Sequence, residues 1–186
     1  MSFFDRVMKN PIICSIRNLE ELDIALDSPC EVIFLNTGNI FNLREISHRL
    51  QEKDKDLYIH VESIDGFSRD TWGLEYIVKN IHPHGIITGK SDLVKLSKDM
   101  GIFTIQRIII SDSMSLQYSI DSIKKNRPSA VEVLPGIIPK IIERIIKDTR
   151  ISVIASGLIT DNQHIISSLN AGSIAISSSS KNIWYI

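Results

Sequence analysis

The sequence predicts an α/β chain folded as a (β/α)8 TIM-type barrel, and three observations carry the prediction. Short apolar runs rich in β-branched residues recur about eight times. Amphipathic helical patterns alternate with them. The runs are continuously apolar rather than alternating, as strands of a parallel sheet covered on both faces must be. The 186 residues leave room for one compact barrel domain over 1–186 with little decoration. An open doubly wound sheet is the alternative arrangement of the same alternation.

The elements follow in order. Phe3–Lys9 is amphipathic through Phe3, Phe4, Val7 and Met8, and suits a plug for the bottom or side of the barrel. The strand candidates are Pro11–Ile16, Glu31–Asn36, Leu57–Glu62, Gly85–Thr88, Phe103–Ile108, Ala130–Leu134, Ser152–Ala155 and Ser173–Ser177, each of buried-strand length. The helix candidates between them are Leu19–Leu26, Leu43–Leu50, Thr71–Asn80, Ser91–Met100, Leu116–Lys125, Ile137–Ile146 and Gln163–Leu169. The clearest is Ile137–Ile146: Ile138, Ile141, Ile142, Ile145 and Ile146 share one face, while Lys140, Glu143, Arg144 and Lys147 share the other. Asp70 and Ser91 are candidate N-caps, and Gly101 and Gly172 suit positions just past helix ends. Only Lys181-Asn-Ile-Trp-Tyr-Ile186 follows the last strand, too short for a full helix, so the last helix is abbreviated.

The final third concentrates the small residues. A buried strand ends at Ser156-Gly157, and a second ends in the hydroxyl run Ser177–Ser180. In barrels of this type the loops after strands seven and eight approach a phosphate closely with their backbone N–H groups. Ser156, Gly157, Ser177, Ser178 and Ser179 therefore make a candidate phosphate cup. Further polar residues fall at predicted strand ends: Ser15, Arg17, Asn36, Glu62, Asp65, Lys90, Arg107 and Glu132. By strand parity His60, Glu62, Gln106 and Glu132 are expected to point into the barrel, where a charge needs a partner or water. Glu62, Glu132, Lys90 and Arg107 can supply one another. A polar core layer and a divalent metal between the two carboxylates are alternative readings of the same residues. No nucleophile elbow or Ser–His–Asp order marks a catalytic set, and a Schiff-base role for Lys90 has only its place near a strand end in its favour.

Composition narrows the function classes. Hydrophobic residues make up 43% and charged residues 23%, which supports a large core and argues against disorder. The net charge of −1 gives no bulk sign of nucleic-acid binding. Lys124, Lys125 and Arg127 cluster locally, and Lys140, Arg144 and Lys147 line one helix face, as ordinary solvated faces also do. Cys14 and Cys30 lie in or beside apolar runs and read as buried thiols rather than a disulfide. No zinc ligand set, signal peptide or membrane-length apolar run is present, so a cytoplasmic location is expected.

Several stretches together resemble one family, the glycerol-3-phosphate-responsive antiterminators of bacterial glycerol uptake operons. They are Ile59-His-Val-Glu62, Ile64-Asp-Gly-Phe-Ser68, His84-Gly-Ile-Ile-Thr-Gly-Lys90-Ser, Gly101-Ile-Phe-Thr-Ile-Gln-Arg107, Ser111-Asp-Ser-Met114, Val131-Glu-Val-Leu-Pro-Gly-Ile-Ile-Pro-Lys140, Ile154-Ala-Ser-Gly-Leu-Ile159, Asn170-Ala-Gly-Ser-Ile-Ala-Ile-Ser-Ser178 and Trp184. The Glu-Val-Leu-Pro-Gly and Thr-Ile-Gln-Arg pieces are the most specific, and the resemblance spans essentially the whole chain. It implies a barrel used as a regulator rather than an enzyme, sensing glycerol 3-phosphate and acting on leader mRNA, with no cofactor expected. By the same resemblance Ser156, Gly157 and Ser177–Ser179 hold the phosphate, and Lys90, Arg107 and Glu132 line the polyol end or cup wall. By the same resemblance two adjacent glycines are expected at the end of the seventh strand, where this chain has Ser156-Gly157. A homo-oligomer stays open. Two other functions stay open on the residues alone. One is a small barrel enzyme acting on a phosphorylated three-carbon or sugar substrate, with Glu62 or Glu132 as acid or base and Lys90 as electrophile. The other is a degenerate barrel that binds a protein.

Overall fold

Eight parallel strands pair in sequence order, and the last returns to the first, in a computed structural model that describes residues 1–186. The strands are β1 Ile12–Ile16, β2 Val32–Leu35, β3 Asp56–His60, β4 Gly85–Thr88, β5 Phe103–Ile109, β6 Ala130–Leu134, β7 Val153–Ser156 and β8 Ala175–Ser178. The helices are α1 Phe3–Lys9, α2 Leu22–Asp27, α3 Leu43–Glu52, α4 Thr71–Ile81, α5 Ser91–Asp99, α6 Ser113–Asn126, α7 Pro139–Thr149 and α8 Asn162–Asn170. The chain is therefore a (β/α)8 TIM-type barrel. The position after β8 holds only a 3₁₀ turn, Lys181–Tyr185.

Strand parity divides the core in two. Ile13, Val32, Phe34, Tyr58, Ile87, Ile105, Ala130, Ile154 and Ala175 fill the barrel interior, while the alternate residues join the larger cluster beneath the helices. The interior is plugged from below by α1. Its Phe3 packs against Tyr58 and Phe103 with ring centroids 5.1 and 5.0 Å apart, and Val7 lies buried beside it. Burying an aromatic of this size contributes roughly 1.5–3 kcal/mol. The 3₁₀ turn packs against β1 and β8: Trp184 is fully buried and donates its indole N–H to the Ser178 carbonyl at 2.7 Å.

Local chemistry explains where the elements begin. Asp70 caps α4, its Oδ1 accepting the Trp72 and Gly73 amides at 3.0 Å each. Asp70→Ala is expected to cost about 1 kcal/mol, read as a melting-point drop of roughly 2–4 °C. Asp112 and Ser115 form a capping box that starts α6 at Ser113, three residues earlier than the apolar pattern suggests. Ser91 is not a cap; Lys90 takes that position with no side-chain bond, and Ser91 is the first helical residue. Gly101 and Gly172 follow α5 and α8 with φ of +73° and +97°. Cys14 and Cys30 are buried free thiols. No helix is long and apolar enough to cross a membrane.

Candidate functional site

Two residues beyond the apolar interior, the same parity places a polar layer at the C-terminal mouth. Ser15 follows Ile13, Asn36 follows Phe34, His60 follows Tyr58, Arg107 follows Ile105, Glu132 follows Ala130, Ser156 follows Ile154 and Ser177 follows Ala175. Period-two alternation carries each of these side chains inward. Gln106 is a correction to the sequence expectation: as the neighbour of inward Ile105 it faces outward, donating to Ser122 Oγ at 2.9 Å and accepting from Asn126 at 3.2 Å, both on α6.

Arg107 organises the layer. Its Nε donates to Glu132 Oε2 at 2.7 Å, its Nη2 to Asn36 Oδ1 at 2.7 Å and its Nη1 to His60 Nδ1 at 3.0 Å. Asn36 in turn donates to Ser15 Oγ at 3.0 Å. The guanidinium thus ties β2, β3 and β6 across the barrel mouth. Glu132 is fully buried, and its other oxygen, Oε1, has no donor within the protein. A buried carboxylate is tolerated only with a charge-assisted partner, which Arg107 supplies.

Glu62 sits outside the strand because β3 ends at His60 and Val61–Ser63 turns as 3₁₀. It accepts from Thr88 and lies behind His60, with Nε2 to Oε2 at 3.1 Å. Burial disfavours its charged form and pushes its pKa up, but the adjacent His60 and the hydrogen bond from Thr88 outweigh that and hold its carboxyl below the ordinary range. Glu62 thereby supports the layer without lining the main cavity.

The cavity opens above Arg107 with a volume of about 480 Å³. Ser156 and Gly157 form one wall and Ser177–Ser180 the adjacent one, and Arg17, Asn36, Arg107 and Leu134 are among the other residues that line it. The two small-residue turns therefore meet at one rim, as neighbours on paired strands β7 and β8. The backbone N–H groups of Gly157, Leu158 and Ser179 donate to no protein acceptor. Gly157 and Leu158 both hold positive φ, +77° and +62°. The serines divide their work. Ser178 Oγ is used by the fold, donating to the Ile159 carbonyl at 2.9 Å and receiving the Ser180 amide at 3.1 Å. Ser177 Oγ is buried with no partner, and Ser179 is exposed. Ser156 shares inward parity and lines the cavity.

Lys90 does not join these residues. It is exposed and lines a separate surface depression with Arg69 and Asp92, between the starts of α4 and α5. The residue the sequence underrated is Arg17, one of many strand-end polar residues there; in the structure it lines the cavity with no ion-pair or hydrogen-bond partner for its side chain. No group of three His, Cys, Asp or Glu residues is close enough to hold a metal ion.

The chain is similar in sequence to the Escherichia coli K12 protein YgcP, 28% identical over 99% of this chain and 96% of that one. It is similar in structure to a glycerol uptake operon antiterminator regulatory protein from Listeria monocytogenes, at TM-score 0.91 and 25% identity over 94% and 95% of the two chains. It is also similar to a glycerol uptake operon antiterminator-related protein from Thermotoga maritima, at TM-score 0.83 and 28% identity over 93% and 96%. The Listeria protein is described as a regulatory protein of that operon. Residues 12–184, nearly the whole barrel, match the model of the glycerol-3-phosphate responsive antiterminators, and the chain belongs to that family.

Proposed function

We propose that the cavity binds glycerol 3-phosphate and that its occupation sets the protein's affinity for a leader mRNA in the cytoplasm. The observation that carries the reading is the pairing of two chemistries in one small space. At the rim stand three unpartnered amides and the unpaired Arg17 guanidinium, a setting for a dianionic phosphate. Ser177 Oγ, a buried polar atom without a partner, lines the cavity, as does Arg107, whose ion-pair partner Glu132 has a second oxygen, Oε1, equally buried and unpartnered. Two vicinal hydroxyls satisfy such atoms: a carboxylate oxygen accepts, and a serine hydroxyl does either. Phosphate at one end and polyol at the other describe glycerol 3-phosphate. No cofactor enters this account.

Regulation follows from the same contacts. A ligand shifts a conformational equilibrium only by its differential affinity for the two states. The turns that carry Gly157 and Ser179 gain their missing acceptors only when the phosphate is bound, so they are the segments that ligand orders. Calorimetric titration with glycerol 3-phosphate tests the first half; no heat at millimolar ligand would remove it. Arg17→Gln is expected to weaken binding about tenfold, the loss of one charge-assisted hydrogen bond. A mobility shift of terminator-bearing leader RNA, with and without ligand, tests the second half; equal RNA affinity in both would break the coupling.

A further inference from the structure

The sequence between Lys124 and Arg150 holds seven basic residues against three acidic ones, in a chain of net charge −1. One of the three acids, Glu132, faces the barrel interior, and a second, Asp148, pairs with Arg144. The fold gathers this excess on one surface. Helices α6 and α7 lie side by side, and Lys124, Lys125, Arg127, Lys147 and Arg150 are all exposed and without ion-pair partners. The α6 and α7 lysines are neighbours: Asp148, held low first by its hydrogen bond from Arg144, also feels both Lys124 and Lys147 through space.

The arginines add an independent sign. Arg127 and Arg150 occupy the C-caps of α6 and α7 with φ of +50° and +58°. Glycine takes that conformation freely, whereas arginine does not. Both caps thus place a guanidinium at the exposed end of its helix, in the left-handed conformation that His82 also takes at the end of α4. Cations at helix C-termini also complement the helix dipole, but that preference is met by the lysines of the last turns.

We infer that the exposed C-terminal halves of α6 and α7 form the surface on which the phosphate backbone of the regulated RNA lies. The inference rests on the regulatory reading above and names its contact face. The chemistry selects RNA over an anionic membrane: no exposed aliphatic or aromatic residue lies among these cations, and Tyr118 and Ile138 stand toward the opposite ends of their helices. The face is also mechanically joined to the cavity. Helix α7 starts from the Pro135–Ile138 segment, where the Gly136 amide donates to the Ser156 and Gly157 carbonyls at 2.5 and 3.3 Å. A change at the cup therefore reaches the start of α7 through one turn of chain.

The test is the salt dependence of leader-RNA binding at saturating glycerol 3-phosphate. For single-stranded RNA each neutralised phosphate contributes about 0.7 to the slope of log affinity against log salt. The triple variant Lys124→Gln, Lys125→Gln, Lys147→Gln is expected to lose about 2 from that slope, with glycerol 3-phosphate affinity and circular dichroism unchanged. The triple lysine-to-arginine variant is expected to keep the slope, which separates charge from any folding defect. A slope and affinity in the glutamine variant equal to those of the unsubstituted protein would overturn the inference while leaving the regulatory reading in place. Loss of binding to anionic vesicles, with RNA binding intact, would overturn it in favour of a membrane. Failure of the unsubstituted protein to bind any leader RNA would overturn both.

Discussion

Replacing Arg107 with methionine is expected to destabilise the barrel by about 3–5 kcal/mol, the range for removing one partner of a buried ion pair. The reason lies in what the substitution leaves behind. Glu132 is fully buried in the barrel mouth, and Arg107 is its only hydrogen-bond donor. Asn36 Oδ1 and His60 Nδ1 lose the same guanidinium. Methionine fills most of the volume, so the loss is electrostatic rather than a cavity. The double variant Arg107→Met, Glu132→Leu removes both charges and is expected to recover most of the stability, because two well-packed apolar side chains avoid the desolvation cost of the pair. Urea denaturation of the single and double variants reads the comparison directly. A single-variant loss below about 1 kcal/mol would mean that the network is solvated and weak. Both variants are expected to lose glycerol 3-phosphate binding. That result, together with recovered stability in the double variant, would mark the Arg107–Glu132 pair as retained for recognition at a cost to the fold.

Much of this site was legible because a barrel strand converts sequence spacing into direction. The step from Ile105 to Arg107, from Ala130 to Glu132 and from Ala175 to Ser177 is two residues, and two residues return a side chain to the same face. Parity fails where the strand itself stops. Glu62 reads as part of the run Leu57–Glu62, but Val61–Ser63 turns as 3₁₀, so its side chain meets Thr88 and His60 behind the layer. Gln106 is misread for a different reason: two polar residues in succession cannot both face inward, and the inner cluster containing Ile105 decides for Arg107. Lys90 shows the limit of proximity along the chain. Gly89 separates it from β4, and it begins a helix at the barrel's outer edge. The pairing of Arg107 with Asn36, across five intervening elements, carries no local signal in the sequence at all. The basic residues of α6 and α7 are visible as two charge patterns, but only the packing of the two helices makes them one surface.

Gly136→Ala is expected to remove ligand binding and to lower stability by roughly 3 kcal/mol, the upper part of the range for overpacking. A Cβ at this position would stand 2.4 Å from the Ser156 amide nitrogen and 2.8 Å from the Ala155 carbonyl carbon. These are backbone atoms at the end of a central strand, and no rotamer change relieves the clash. Moving Gly136 away instead breaks its amide bonds to Ser156 and Gly157 and strains the bond from Ser168 Oγ to its carbonyl, 2.8 Å long. Either response displaces the turn that carries the Gly157 and Leu158 amides. For a chain of this size the expected stability loss corresponds to a melting-point drop of about 6–12 °C. Gly101→Ala is the control: it strains a positive φ, +73°, but meets no atom within 4 Å and lies away from the cavity. It is expected to lose about 1 kcal/mol and to bind glycerol 3-phosphate as the unsubstituted protein does. If Gly136→Ala folds and binds the ligand with unchanged affinity, the phosphate is not held by the β7 turn, and the assignment of the cup falls with it.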